Sequence, residues 1–214
     1  MKKQVTLKED KWIWPIIDES SWQGQNNSKD LHKAVMPYVK NRSIMVQAGG
    51  NCGFILSTFV PYFDHVYTFE PDPINFYCLN QNVTVTNVTK MQMCLSEHTD
   101  SLNVQQLVRE DRPHDTGGVH VSGLGYTPAI AIDSLNLTDC GLLQLDVEGY
   151  ELRALKGAVN TIQKYKPVIC VELCEKWLNR YNDTSADVIS FIEQLGYVQV
   201  GDHRVDCIFV PKEA

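Results

Sequence analysis

Residues 43–71, S-I-M-V-Q-A-G-G-N-C-G-F-I-L-S-T-F-V-P-Y-F-D-H-V-Y-T-F-E-P, constrain the fold more than any other stretch of the chain. Ile44, Met45 and Val46 form an apolar run too short for a helix, so they read as a buried strand. Gly49, Gly50 and Gly53 allow a tight turn into an apolar helix over 54–60, and a second strand then leads to Glu70 and Pro71. The pattern is half of a nucleotide-binding α/β unit. Glycines let the backbone approach a ligand with no Cβ in the way, and the helix start offers unpaired N–H donors. Glu70 follows the turn by about 20 residues, where such folds place a carboxylate for two ribose hydroxyls. The stretch therefore predicts an adenosine-bearing ligand. The turn reads G-x-N-x-G, not G-x-G-x-x-G, and no P-loop lysine follows, so a pyrophosphate is poorly served. Taken alone, such a turn is equally compatible with a plain strand-to-helix bend.

Downstream, Asp72 caps and Pro73 opens a helix with Ile74, Tyr77 and Cys78 facing inward. A third strand is expected over 88–95, ending at Ser96 beside the adenine, and a further strand over 102–108. Residues 109–128 are the least regular stretch and read as a lid, since long structureless loops in compact domains are usually functional. Within it, His114 and His120 have the intrinsic pKa range of a general base. Residues 129–135 look strand-like. Residues 142–145 form a buried strand ending at Asp146, followed by a helix that carries Glu151, Leu152, Leu155 and Ala158 on one face. The run 167–172 is another strand, ending in Glu172; an amphipathic helix over 185–195 is closed by Gly196, and strands over 197–200 and 207–210 complete the chain. This alternation implies a mostly parallel sheet with helices on both faces. Ligands of such sheets collect outside the carboxyl ends of the strands, so Glu70 and Asp146 should face one cavity.

With 214 residues, 43% of them hydrophobic and 21% charged, the chain reads as one globular domain over 44–214, preceded by an arm and capping helix over 1–43. Ser28 or Asp30 caps that helix, and Pro37 kinks or ends it. Trp12, Trp14 and Trp22 are expected to dock the arm on the body, or to line a pocket edge. A net charge of −7 repels a phosphate backbone, so no nucleic-acid partner is expected. No apolar run approaches the ~20 residues of a membrane span, and the N-terminus has no signal-peptide pattern, so the expectation is a cytoplasmic protein without a membrane partner. Seven cysteines without C-x-x-C spacing fit free thiols.

Four motifs in sequence carry a resemblance. They are the glycine turn over 47–53, Phe69-Glu70-Pro71, Asp146-Val147-Glu148-Gly149-Tyr150-Glu151 with L-x-G-A over 155–158, and K-P-x-x-x-x-E over 166–172. In order and spacing they resemble the FkbM family of S-adenosylmethionine-dependent methyltransferases. The resemblance implies the Rossmann-like class I methyltransferase fold, with a mostly parallel seven-stranded sheet. It further implies methyl transfer from S-adenosyl-L-methionine, leaving S-adenosyl-L-homocysteine, to a hydroxyl of a sugar, glycan or other small molecule. By the same resemblance Gln47, Gly49, Asn51 and Gly53 form the motif that cradles the methionine part. Glu70 and Pro71 hold the ribose side, and Asp146, Glu148 and Glu151 fall in the acidic motif. Asp146 is the first candidate for the base that takes the hydroxyl proton and also borders the cofactor; His120 and His114 come second, and Glu148 and Glu172 are the substrate-side carboxylates. Gln47 stands where the family has Asp, and Gly50 where it has Ala. Glutamine brings no charge toward the cofactor's ammonium, which keeps an alternative in view: an inactive homologue acting as a cofactor- or partner-binding module. The acidic cluster leaves a divalent metal open, but no ligand spacing marks one and no metal ligand is assigned.

Overall fold

The computed structural model describes residues 4–9, 11–18, 20–106 and 115–212. Its centre is a sheet of seven strands, β1 (Ile44–Ala48), β2 (His65–Phe69), β3 (Val88–Met91), β4 (Leu142–Leu145), β5 (Val168–Glu172), β6 (Tyr197–His203) and β7 (Asp206–Pro211), in the order β6-β7-β5-β4-β1-β2-β3. The strands from β5 through β4, β1 and β2 to β3 are parallel, and β7 runs antiparallel to β5 and β6.

Side-chain alternation explains why both faces are covered. Along β5, Val168 and Cys170 pack on one face and Ile169 and Val171 on the other, so the strand reads as one continuous apolar run. The first face receives Leu31, Val35, Leu56, Phe59 and Leu79 from the helices Leu31–Val35, Phe54–Phe59 and Pro73–Asn82. The second receives Leu152, Leu155, Ile162, Val188 and Ile192 from Glu151–Lys156, Val159–Tyr165 and Ser185–Gln194. Asp72 caps its helix as expected: its carboxylate accepts from the Ile74 and Asn75 amides, both at 2.9 Å, with Pro73 in the first turn.

Register fixes where the functional residues emerge. Ala48 pairs with Phe69 and with Leu145, and Leu145 pairs with Val171. The residues that follow, Gly49, Glu70, Asp146 and Glu172, therefore leave the sheet at one level along its carboxyl edge.

Three expectations are corrected. Residues 88–95 do not form one strand: β3 ends at Met91, and Cys94–Leu95 joins a second, four-stranded sheet with Asp100–Gln106, Val119–Leu124 and Thr127–Ile130. The stretch 109–128 is not irregular throughout, because Val119-His120-Val121-Ser122 pairs antiparallel with Asp100–Gln106, Val104 opposite Val121 and Gln105 opposite His120. Gly125, just past that strand, lets the backbones approach closely; a Cβ there would lie 2.5 Å from the Asn103 backbone. The strand expected over 129–135 ends at Ile130 and gives way to a 3-10 turn, Ile132–Leu135.

The arm is itself folded. Strands Val5–Lys8 and Trp12–Pro15 form a hairpin, followed by the helix Ser21–Asn27. Trp14 is fully buried against Cys52 and Cys78, and Trp12 and Trp22 meet Phe54 edge-on at 5.0 and 5.3 Å. All seven cysteines are free. Among the described residues no helix is long and apolar enough to cross a membrane.

Candidate active site

The glycine turn is built for close backbone approach. Gly49 sits at φ +82°, and a Cβ there would lie 1.9 Å from the Asp146 carbonyl oxygen, so only glycine lets the ends of β1 and β4 meet this closely. The amides of Gly49 and Gly50 donate to the Phe69 carbonyl at 3.2 and 2.9 Å, which ties the turn to β2. Gln47 is 2% exposed and braces the turn from below. Its amide donates to the carbonyls of Ala48 and Gly49 at 3.3 and 3.0 Å and accepts the Thr68 hydroxyl. Gly53, at φ +86°, packs against Val83 and Leu79 at the start of the helix. Neither Gln47 nor Gly53 reaches the cavity wall, whereas Gly49 and Asn51 do.

That cavity, about 430 Å³, opens along the carboxyl edge of the sheet, within the ~300–1,000 Å³ range of small-molecule sites. Glu70 and Pro71 line it. Glu70 is 3% exposed and accepts the amides of Asn51 at 2.7 Å and Asp72 at 2.8 Å. Burial pushes its carboxyl up to about 8, against the lowering pull of those two amides. Ser96 lies outside the wall, its amide spent on the Ile130 carbonyl at 2.9 Å; the same segment reaches the cavity through Met93, Cys94 and Leu95.

Opposite Glu70 stands the acidic side. Asp146, Glu148 and Glu172 are partly buried and line the cavity. Burial raises all three carboxyls, Asp146 to about 6; Glu148 and Glu172 are raised well above the ordinary range, with the Asp146 charge adding to burial. Glu148 occupies a left-handed position at φ +56°, next to Gly149 at φ +102°. Glu151 is fully buried behind this side, accepting the Val147 and Gly149 amides at 2.9 and 3.1 Å; burial brings its carboxyl to about 7. One oxygen each of Glu148, Glu151 and Glu172 is buried without a hydrogen-bond partner. Among the described residues no group of three or more His, Cys, Asp or Glu side chains is placed to hold a metal ion.

His120 lines the same cavity from the second sheet, and its Nδ1 is buried without a partner. Burial, then the Arg180 charge, hold its imidazole below its usual range, so the ring is neutral at pH 7 and free to accept a proton. His114 lies outside the described residues.

Two groups of wall residues carried no signal of their own. Trp177, which follows β5, lines the wall; behind it the Arg180 guanidinium lies 4.6 Å from the Trp177 ring and donates to the Glu148 carbonyl at 3.2 Å. Their place after a strand ending at the ligand edge was the available clue. The arm supplies Ser20, Ser21 and Gln25. It is fastened by buried Asp18, which accepts the Trp14 indole at 2.7 Å, the Ser21 hydroxyl at 2.6 Å, the Trp22 amide at 3.0 Å and the Thr116 hydroxyl at 3.0 Å. The Thr116 carbonyl in turn accepts Asn75 Nδ2 at 2.8 Å and Asn51 Nδ2 at 3.4 Å, so the arm is wired to the glycine turn.

A mostly parallel seven-stranded sheet with one antiparallel strand, β7, a glycine turn after β1 and an acidic residue after β2 define the class I methyltransferase fold. The chain belongs to the FkbM methyltransferase family: the family's "Methyltransferase FkbM domain" matches residues 49–198. Among solved structures it is similar to the methyltransferase FkbM of Methylobacillus flagellatus KT, at 21% identity and TM-score 0.51, over 78% of this chain and 43% of that one. The chain thus spans less than half the length of that protein. It is also similar to a precorrin-6y C5,15-methyltransferase of Geobacter metallireducens GS-15, at 10% identity and TM-score 0.51 over 96% of both chains. A third similar structure is the N-methyltransferase NodS of Bradyrhizobium japonicum WM9, at 10% identity and TM-score 0.50 over 91% of this chain and 99% of that one. At such identities the likeness is one of fold. No curated protein matches the chain.

Proposed function

We propose that the protein is an S-adenosylmethionine-dependent O-methyltransferase acting on a hydroxyl of a sugar, glycan or other small molecule. The observation that carries this reading is the meeting, in one cavity, of a glycine turn, a buried carboxyl at the end of β2 and two proton acceptors, Asp146 and His120. The cavity fits the cofactor on its own geometry. Gly49 and Asn51 of the turn line its wall, and Glu70, which accepts the amides of Asn51 and Asp72, stands at the end of β2 where a carboxyl can meet ribose hydroxyls. When bound, S-adenosylmethionine supplies a methyl group already activated by its sulfonium. The chain has to hold the acceptor oxygen in line, worth up to roughly 7–11 kcal/mol of the barrier, and to take its proton, worth about 10²–10⁴-fold. Asp146, with its carboxyl at about 6, is largely ionised at pH 7 and can accept that proton; neutral His120 can do the same. The unpartnered oxygens of Glu148 and Glu172 suit an acceptor rich in O–H donors.

Titration calorimetry of S-adenosylhomocysteine into wild type and Glu70→Ala tests the cofactor half. We expect binding that weakens at least tenfold in the variant, about 1.4 kcal/mol. Wild type that binds neither cofactor nor product sinks the reading. Binding without transfer of labelled methyl to any of a panel of hydroxylated acceptors would instead favour a catalytically inactive binding module.

A further inference from the structure

The arm lies outside residues 49–198 of the family match, yet it closes one side of the cavity. Two of its side chains are unsatisfied there. Ser20 Oγ and Gln25 Oε1 are buried, line the wall and find no hydrogen-bond partner. Buried polar atoms without a partner are rare in folded proteins, and those in a cavity wall mark where water or a ligand group belongs. Nor is this a loose end of the chain, since Asp18 pins the start of the helix Ser21–Asn27 through Ser21 and Trp22.

Which ligand group belongs there follows from position, given the cofactor reading above, on which this inference rests. With the ribose at Glu70, the adenine would have the wall residues Pro71, Met93, Cys94 and Leu95 beside it. The amino-acid end would then lie toward the turn residues Gly49 and Asn51. The arm lies beside that turn: Trp22 packs on Phe54, the first residue of the helix after it, and Ser28 and Ile55 share the wall. The motif position that elsewhere in the family carries a charge is Gln47, which lies beneath the turn and outside the wall, its amide already engaged with Ala48, Gly49 and Thr68. We propose that Gln25 and Ser20 bind the amino-acid end of the cofactor. Gln25 Oε1 accepts from the α-ammonium, and the Ser20 hydroxyl donates to the α-carboxylate.

The test compares S-adenosylhomocysteine with 5′-methylthioadenosine, an adenosine thioether that lacks the amino-acid end, by calorimetry on the full chain. In Gln25→Lys, S-adenosylhomocysteine should weaken about tenfold or more while methylthioadenosine changes less than about twofold; Gln25→Glu, which keeps an acceptor and adds a charge, should bind the former at least as tightly as wild type. Ser20→Ala should show the same ligand selectivity as Gln25→Lys, by a smaller factor. The proposal is overturned if Gln25→Lys binds S-adenosylhomocysteine like wild type, or if both ligands weaken alike in every variant. Wild type binding neither compound overturns the cofactor reading itself, and this assignment with it.

Discussion

Gln47 illustrates how a single residue changes meaning once its neighbours are known. In sequence it is a missing charge; in the structure it is a brace that donates two hydrogen bonds to carbonyls of its own turn. Restoring the family residue with Gln47→Asp therefore removes both donors and turns a carboxylate toward two carbonyls in a 2% exposed site. We expect that substitution to lower stability by about 1–3 kcal/mol in chemical denaturation, where a purely cofactor-facing position would leave stability unchanged. Gly49→Ala should cost more, about 2–5 kcal/mol, because it combines a left-handed backbone with a backbone clash at Asp146. Asp146 gives a prediction for rate. Its carboxyl titrates near 6, so kcat/KM should rise with pH through an acid limb at about pH 6, and Asp146→Asn should remove that limb. An unchanged limb in the variant would move the role to another group.

At the scale of elements, the cavity is assembled by segments that are each held at one or two points. The helix Pro73–Asn82 is fixed by the Asp72 cap, and Asp72→Ala should lower stability by about 1 kcal/mol. The segment carrying Trp177 and Arg180 is clamped by Arg153, whose guanidinium lies 5.3 and 5.1 Å from the Tyr150 and Tyr181 rings and pairs with Asp183. Tyr181 reaches the second sheet by donating to the Val121 carbonyl at 2.8 Å. The arm depends on Asp18. Burial works to raise this carboxyl, but hydrogen bonds from Ser21, Trp22 and Trp14 outweigh it and hold the carboxyl below its ordinary value. Asp18→Ala strips these donors of their acceptor, so hydrogen exchange over the arm and over residues 115–118 should accelerate together. Acceleration in the arm alone would mean that the link through Thr116 carries no coupling.

Taken whole, the molecule concentrates buried acid at one edge of its sheet, and this sets how stability responds to pH. Asp146 near 6, Glu151 and Asp206 near 7 and Glu70 near 8 are all raised, in each case first by burial. A raised carboxyl favours its neutral form in the fold, so its contribution is complete below the unfolded values near 4 and is lost as pH rises through the folded values. The ligand-free protein should therefore melt higher at about pH 5 than at about pH 8, and Glu151→Gln should flatten that slope. Asp18 acts in the opposite sense and in a lower window, its contribution fading only as pH falls below 3.8. A melting temperature that rises steadily from pH 5 to 8 would contradict the burial of this cluster.

The sequence by itself determined the strands β1, β2, β4 and β5, the glycine turn, the Asp72 cap and the carboxylates at the sheet edge, because each is a local pattern. Apolar runs, glycines and caps are dictated by residues within one or two turns of each other. Tertiary structure decided what those residues face. Only strand register brings Gly49, Glu70, Asp146 and Glu172 to one level, and only packing shows that Gln47 and Gly53 support the turn while Ser96 lies outside the wall. The second sheet was hidden because its glycines look like loop, whereas its pairing partners lie far apart in the chain. The arm's part in the cavity was hidden for a related reason: Asp18 and Thr116 are 98 residues apart, and no local pattern records a hydrogen bond across that distance.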